Sequence, residues 1–490
     1  MGRDILLLLQ VLFPVIAGCL LFVAARRGNR RLQTRYVTIV LLLEAAFVIA
    51  VAFLDKTTVE CFYITPELRL ILCNDGLSKL FGVLVALVWL LVGIYSFRYL
   101  KETEKPVMFY GFYLIALGVL QGIGLAGNLV SFYLFYEWMT LMTVPFVFYN
   151  RTKESIRASR KYLFYSVAGA SLVLAGIFIL AGNTDGLQFA GGALKETADR
   201  TEVLLAGVLL LLGFGTKAGM FPMHGWLPTA HPVAPAPASA VLSGVITKAG
   251  VLGIIRSFYY VIGMDYLAGT YVQTLFLTLA LLTVFMGSML AYKEKVLKKR
   301  LAYSTVSQVS YVLFGLALFT PAGFAAALLH MVFHSVIKNE LFLFAGTVIH
   351  QTGEERVEGL RGMGRNLPVT FWCFTLASLA LVGIPPMSGF VSKWYLAKGA
   401  LAASVGIFSY LGPAVLLVSA LLTAGYLLSI TADGFFPGKD FISPMPEAKE
   451  GHVSMLVPCV IFAAATVLLG VFSAPLYEFA TKLGTGLLVR

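Results

Sequence analysis

Long apolar stretches alternate with short polar segments along the chain, from Ile5 to Leu488. Each apolar stretch approaches the roughly 20 residues that an α-helix needs to cross a bilayer. Because backbone N–H and C=O groups find no water in lipid, a helix is the structure that such stretches favour. Apolar and polar residues do not alternate one by one, as they would in a membrane β-barrel. We therefore predict an all-α polytopic membrane protein.

The spacing of the apolar stretches predicts about fourteen spans. The predicted spans start near Ile5, Val37, Gly76, Met108, Leu129, Tyr162, Val203, Ser239, Thr270, Ala302, Ala322, Val369, Gly389 and Ser454. The stretch from Pro413 to Ile430 is also apolar. The segment 369–430 therefore holds two or three helices, and the count is open by one.

Composition agrees with this class, since 59% of the 490 residues are hydrophobic and 13% are charged. A soluble domain carries roughly 25% charged residues, so no room is left for a sizeable one. The net charge of +12 arises largely from loops after odd-numbered spans, such as the five arginines between Arg26 and Arg35. The positive-inside rule places those loops in the cytoplasm and both termini outside the inner membrane. We therefore interpret the positive charge as setting the orientation of the chain in the membrane, and we expect no nucleic-acid partner.

Two predicted spans contain helix-breaking residues. Five prolines crowd the segment 221–238, and Gly383-Ile-Pro-Pro-Met-Ser-Gly389 interrupts a later span. Proline removes a backbone donor, and non-helical backbone at membrane depth is tolerated only inside protein or beside a water-filled cavity. One broken span in each half of the chain is typical of inverted-repeat transporters. Two kinked helices or outer loops without a transport role stay open as the alternative.

Ionisable residues inside the apolar stretches are the main functional signal. A charge at the bilayer centre costs from about 3 to over 10 kcal/mol, so such residues face the bundle interior and usually have partners. His330, His334 and Lys338 recur every four residues and share one helix face. The candidate proton-relay residues are Glu137, Lys217, Lys248, His330, His334, Lys338 and Lys393.

These residue types suit proton movement. An ion pair such as Glu137–Lys217 would switch a buried lysine between holding and releasing a proton. Histidine titrates near neutrality and passes protons between its two ring nitrogens. Lys217 and Lys393 lie near the breaks, and snorkelling to an interface is the alternative for them. Further relay candidates are His231, His224 and Glu340.

Four stretches carry a family resemblance together, although each alone is weak. They are Lys217–His231, Ala234–Ala240, His330–Lys338 and Gly383–Lys393. On these stretches the chain resembles the antiporter-like proton-translocating subunits shared by respiratory complex I, Mrp-type cation/proton antiporters and membrane-bound energy-converting hydrogenases. The resemblance covers roughly Tyr110 to Gly399.

The resemblance implies fourteen helices with two inverted five-helix repeats, each holding a broken helix. The implied division is 1–107 for the first three helices, 108–262 for the first repeat with its break near 221–238, 263–430 for the second repeat with its break near 383–389, and 431–490 for a loop and a C-terminal helix. The family's relay motif falls on the candidate residues: a carboxylate–lysine pair at Glu137 and Lys217, then Lys248, His334, Lys338 and Lys393.

The function that this resemblance implies is proton translocation within a larger complex. We expect no cofactor and no redox site in this chain, which lacks a cysteine cluster or phosphate loop, so any NADH:quinone oxidoreductase or hydrogenase chemistry would lie in partner membrane subunits. Whether sodium moves as well as protons is open. Two alternatives remain: a subunit of a sodium/proton antiporter without a redox partner, and a structural membrane scaffold whose buried charges only fix helix register.

Three local features depart from the family pattern or leave a choice. Thr229 stands where many members have an acidic residue, and Glu340 adds a carboxyl that would pair with Lys338 or face a partner subunit. Cys61 and Cys73 share one loop, and they would form a disulfide if that loop faces an oxidising space.

Overall fold

A computed structural model describes residues 2–24, 29–63, 65, 69–103, 105–189, 194–438 and 447–488. In this part of the chain, 12 helices are long and apolar enough to cross a membrane. The predicted class, a polytopic helical membrane protein, is therefore confirmed.

The helices follow one another through the described chain with short connections. The first half contains α1 (Gly2–Ala24), α2 (Arg30–Ala52), α3 (Gly76–Tyr99), α4 (Pro106–Leu125), α5 (Leu129–Phe148), α6 (Lys153–Asn183), α7 (Arg200–Ala218), α8 (Leu227–Val233) and α9 (Ala236–Ile262). After a single turn at Met264–Leu267, the second half contains α10 (Tyr271–Lys293), α11 (Leu297–Ala317), α12 (Pro321–Thr352), α13 (Pro368–Val382), α14 (Ser388–Ala402), α15 (Phe408–Phe435), α16 (Val453–Val471) and α17 (Ala474–Leu488).

The loop after α2 folds into a β-hairpin that the hydropathy pattern did not predict. Strand β1 (Thr58–Tyr63) pairs antiparallel with β2 (Arg69–Cys73), with an irregularity between Glu60 and Phe62. Both cysteines of this hairpin are free thiols, because Thr58, not Cys61, lies opposite Cys73. A disulfide between Cys61 and Cys73 is therefore not formed in this structure.

The chain leaves the helix at both proline-rich segments. Helix α7 ends at Gly219, whose φ of 80° is left-handed, and α13 ends at Gly383, whose φ is 97°. Glycine adopts this conformation without steric cost, so it ends a helix where a bulkier residue would be strained. Each first half-helix is followed by a short second one, α8 and α14 respectively.

The centre of the bundle is formed by α9 and α12. Every residue of α9 is buried, as is α12 from Gly323 to Val348, which is the pattern expected of helices surrounded by protein. Helix α12 packs against α9, α11, α13, α14 and α16. Two segments of α9, Leu242–Ile246 and Arg256–Ile262, widen into π-helix, a feature that is frequent at functional sites.

Candidate proton relay

Lys248 lies near the middle of α9 and is completely buried. Its Nζ donates to the carbonyl oxygen of Ser243 at 2.7 Å and lies 2.8 Å from Nδ1 of His334 on α12. Ser243 belongs to the first π-helical segment. Both nitrogens can hold a proton in one state and accept a hydrogen bond in the other, neutral state, so this contact has the geometry that proton transfer requires.

Lys338 lies one turn beyond His334 on α12 and faces α11. Its Nζ donates to the carbonyl oxygen of Leu301 at 3.0 Å and to the hydroxyl of Ser304. The next residue of α11, Thr305, shares a hydrogen bond of 2.7 Å with the hydroxyl of Ser243. Hydroxyl and carbonyl groups of α9 and α11 thus connect the surroundings of Lys338 with those of Lys248.

His330 and Lys393 continue the line towards the second broken helix. The ring of His330 stacks between those of Tyr311 and His334, with centroids 5.2 and 6.1 Å away, and its Nδ1 contacts the Ser392 hydroxyl at 2.9 Å. The neighbouring residue, Lys393, donates from Nζ to the carbonyl oxygens of Leu381 and Val382 at 2.6 and 3.0 Å. Lys393 therefore caps the negative C-terminal end of α13.

Two histidine nitrogens along this line are unpaired. Nε2 of His330 and Nε2 of His334 are buried, and neither has a hydrogen-bond partner in the described structure. A buried polar atom without a partner is costly, and ordered water commonly satisfies such atoms.

Lys217 lies in the last turn of α7, immediately before the first break. Its Nζ donates to the hydroxyls of Thr140, Tyr162 and Ser166 at 2.9, 3.0 and 3.0 Å, and it lies 4.6 Å from the centre of the Tyr162 ring. A Cβ added at Gly250 of α9 would lie 3.2 Å from Cβ of Lys217. Because Gly250 is two residues from Lys248, the two lysines lie at similar levels along neighbouring, packed helices.

Glu137 does not form the ion pair with Lys217 that the sequence suggested. Glu137 is half-buried in α5, its Oε1 has no hydrogen-bond partner in the described structure, and no ion pair joins it to Lys217. Nζ of Lys217 instead donates hydrogen bonds to hydroxyl groups of α5 and α6.

The further candidates occupy different surroundings. His231 is fully buried in α8 and stacks on Phe342 with ring centroids 4.8 Å apart, whereas His224 is half-buried and stacks on Phe221 at 6.0 Å. Glu340 is fully buried but forms no ion pair with Lys338 among the described residues. Side chains two positions apart on a helix, such as Lys338 and Glu340, point in nearly opposite directions, which explains why this ion pair does not form.

The structure thus places the sequence-predicted residues in two groups. Lys248, His334, His330, Lys338 and Lys393 lie around α12, and Lys217 with Glu137 lies beside α5 and α6. Helix α9 separates the two groups and contacts both.

Sequence reasoning missed several buried charges. Glu44 in α2 is completely buried, and neither of its carboxylate oxygens has a hydrogen-bond partner in the described structure. Arg256 in α9 pairs with Asp75 and is stacked by Phe189 and Tyr260 at 4.7 and 4.6 Å. Both stand alone in apolar runs, the same signal that singled out Glu137.

Arg300 is another missed buried charge, and so is Lys298, which the sequence groups with the same basic loop before α11. Its side chain is buried, and Nζ donates to the carbonyl oxygen of Ala234 at 2.9 Å. Sequence position alone did not separate this lysine from its exposed neighbours in the loop.

Comparison with known proteins identifies the family of the chain. The profile of the family described as NADH:quinone oxidoreductase/Mrp antiporter, transmembrane, matches residues 126–437. The chain belongs to this family. The match contains both broken helices and every relay candidate, from Glu137 to Lys393.

Similar members of the NADH:quinone oxidoreductase/Mrp antiporter family come from different complexes. The chain is 34% identical to NADH-quinone oxidoreductase subunit N of Desulforudis audaxviator over 83% of each chain. It is 32% identical to a Na(+)/H(+) antiporter subunit of Bacillus subtilis, over 82% of this chain and 80% of that protein. A chain of the archaeal membrane-bound sulfane sulfur reductase has the same fold, with a TM-score of 0.88, 24% identity and coverage of 98% and 97%.

Proposed function

We propose that the chain is a proton-translocating integral membrane subunit of a multisubunit ion-pumping complex. The observation that carries the proposal is the contact between Lys248 and His334, both completely buried, at the centre of the bundle. Intramembrane ionisable groups are expensive to keep and generally mark ion or proton paths. The similar proteins named above, a quinone oxidoreductase subunit and a cation/proton antiporter subunit, support an ion-moving role.

The proposed path runs across the bundle at mid-depth. A proton passes between the Lys217 and Lys248 groups, from Lys248 to His334 through their hydrogen bond, and through His330 towards Lys393. Each histidine receives a proton on one ring nitrogen and releases it from the other. Hydroxyls of Ser243, Thr305 and Ser304 would connect Lys338 to the same path.

The proposed architecture has fourteen membrane crossings. This number is the sum of the twelve long helices, α11, and the α13–α14 pair, which counts as one broken crossing. The proposed division is 1–107 for the first three crossings, 108–262 and 263–430 for two inverted repeats, and 431–490 for the remainder. In each repeat a left-handed glycine ends the first half of the broken helix, which supports the relation between the two. Both termini are proposed to lie outside the cytoplasmic membrane.

Other membrane subunits complete the proposed complex and supply its driving reaction. A second candidate is a sodium/proton antiporter without a redox partner, which the 32% identity to the Bacillus subtilis protein favours. Proton uptake by vesicles that contain the purified complex, measured with and without sodium, separates the two candidates.

Substitutions of Lys248 test the relay against a purely structural role. Arginine keeps a positive charge but does not release its proton, whereas methionine keeps only the length of the side chain. The relay predicts that Lys248→Met and Lys248→Arg both lose proton transport in complexes that assemble normally. A structural cation predicts that Lys248→Arg retains transport, and that result would refute the relay.

A further inference from the structure

A basic cavity lies apart from the relay, where the start of α2, the end of α3 and the starts of α4 and α16 meet. Its volume is about 650 Å³, within the range of small-molecule sites. One wall is apolar and includes Phe97, Leu100, Pro106 and Tyr110. The cationic lining residues are Arg30, Arg31, Arg35, Arg98 and Lys101, with a single carboxylate from Glu102.

The arginines of this basic cavity fall into two classes. Arg30 donates to the carbonyl oxygens of Lys101 and Thr103 and so holds the loop after α3. Arg98 lies 3.9 Å from the carboxylate of Glu102. Arg31 and Arg35 are one helical turn apart and exposed, and neither guanidinium has a hydrogen bond or ion pair within the described chain. Two neighbouring guanidinium groups are therefore available to an anionic ligand.

Backbone charge favours an anion at the same place. Helices α2, α4 and α16 begin at Arg30, Pro106 and Val453, beside the cavity. Unpaired N–H groups and the helix dipole make helix starts attractive to phosphate groups. Membrane orientation requires only that loop charges be positive; it does not require them to converge on a cavity. The convergence needs a separate explanation.

The surface next to the cavity is apolar. Along α2, Leu32, Ile39 and Leu42 are 61%, 56% and 53% exposed, and these residues lie where acyl chains would contact a membrane helix. We propose that this cavity binds the phosphate group of an anionic phospholipid, with Arg31 and Arg35 as its principal ligands and the acyl chains along α2. Guanidinium groups bind phosphate oxygens in a bidentate manner, and basic pockets between membrane helices are known to take anionic headgroups.

Native mass spectrometry of the purified, delipidated complex tests this assignment. The complex is incubated with phosphatidylglycerol, cardiolipin or phosphatidylcholine, and bound lipid is counted for wild type, R31Q/R35Q and R31K/R35K. The matched control is K153Q/R157Q, because Lys153 and Arg157 are also exposed, one turn apart, at the start of a helix. Each cationic side chain contributes about 1 kcal/mol to anionic-lipid binding, so R31Q/R35Q should bind phosphatidylglycerol roughly thirtyfold more weakly.

The proposal predicts that K153Q/R157Q keeps most of the bound anionic lipid and that phosphatidylcholine binds poorly to every variant. R31K/R35K should bind between wild type and R31Q/R35Q, because lysine keeps the charge but not the bidentate geometry. Equal loss in R31Q/R35Q and K153Q/R157Q would overturn it, because the effect would then be general surface charge. Displacement of the lipid by inorganic phosphate at millimolar concentration would overturn the lipid assignment in favour of a free anion. Lys101→Gln, which leaves α2 unchanged, provides a second variant with a smaller expected loss.

Discussion

Lys217 precedes the break in the first broken helix, whereas Lys393 follows the break in the second. The surroundings of the two lysines differ in kind. Three side-chain hydroxyls surround Lys217, from Thr140, Tyr162 and Ser166, and two backbone carbonyls at the end of α13 surround Lys393. Two similar breaks therefore present two different sets of hydrogen-bonding partners.

The difference concerns which protonation state each site can satisfy. A hydroxyl both donates and accepts, so the site of Lys217 satisfies an ammonium and a neutral amine alike. A carbonyl only accepts, so the two carbonyls at Lys393 bind its N–H groups but offer no donor to a neutral amine. Under the proposed function, we expect Lys217 to pass protons through its hydroxyl partners and Lys393 to hold the end of α13 through the two carbonyl groups.

Removing the amine of Lys217 should have the largest effect on transport. In Lys217→Met we expect proton transport to fall on the order of a hundredfold, as for loss of a proton-transferring group. The measurement is proton uptake by vesicles containing the assembled complex. Lys161→Met is the matched control, because Lys161 also bridges helices, donating to Thr229 at 3.1 Å. Equal losses in the two variants would contradict a specific role for Lys217.

Arginine substitutions sharpen the contrast between the two lysines. Because arginine stays charged, Lys217→Arg should transport as poorly as Lys217→Met. Lys393→Arg keeps a donor for the α13 carbonyls and should retain transport within severalfold of wild type. The two variants are compared in the same vesicle assay at equal amounts of assembled complex. If both lose transport alike, Lys393 also exchanges protons and the distinction fails.

Stability should respond in the opposite order. Lys393→Met leaves the carbonyls of Leu381 and Val382 without their donor, which should cost about 1–3 kcal/mol of unfolding free energy. In Lys217→Met the hydroxyls can pair among themselves, as Thr143 and Tyr162 already do at 2.7 Å, so the cost should be smaller. Thermal unfolding of the two variants in the same detergent checks this; a lower midpoint for Lys217→Met would contradict it.

The two helix-ending glycines should show the smallest difference. Gly219→Ala and Gly383→Ala both place a side chain in the left-handed region, at a cost of about 1–2 kcal/mol. A Cβ at Gly219 would also lie 2.3 Å from Cδ1 of Leu227, whereas at Gly383 the nearest atom is Cδ of Lys393 at 3.1 Å. Thermal unfolding should therefore show the larger loss for Gly219→Ala. The reverse order would mean that α8 adjusts more readily than α14.

Hydropathy was enough to predict most helices, because lipid leaves the backbone few alternatives. Proline and glycine clusters likewise marked the segments where α7 and α13 end. The β-hairpin that contains Cys61 was not predicted, because its short strands lie in a polar loop and do not contribute to the hydropathy pattern that predicts the membrane spans. Glu44 and Arg256 carried the same signal as Glu137, a lone charge in an apolar run, and could have been found.

The partners of the relay residues could not be predicted from sequence. Lys217 donates hydrogen bonds to hydroxyls of α5 and α6, and Lys338 donates to groups of α11. Both sets of contacts depend on how distant helices pack. The composition of a helix face fixes which side chains are buried together, but the choice between a carboxylate and a hydroxyl partner depends on side-chain directions set by the tertiary structure.

The ion pair between Asp75 and Arg256 fastens the start of α3 to the far end of α9, the helix that carries Lys248. Burial alone would raise the pKa of Asp75, but the Arg256 guanidinium and the Ser78 hydrogen bonds outweigh it and lower the pKa to about 2. The stabilisation is thus complete above the ordinary aspartate pKa and is lost only as the pH falls towards 2. If this end of α9 faces the compartment that receives the pumped protons, the Asp75–Arg256 ion pair stays formed while those protons acidify the compartment. Proton pumping then does not weaken the contact between α3 and α9.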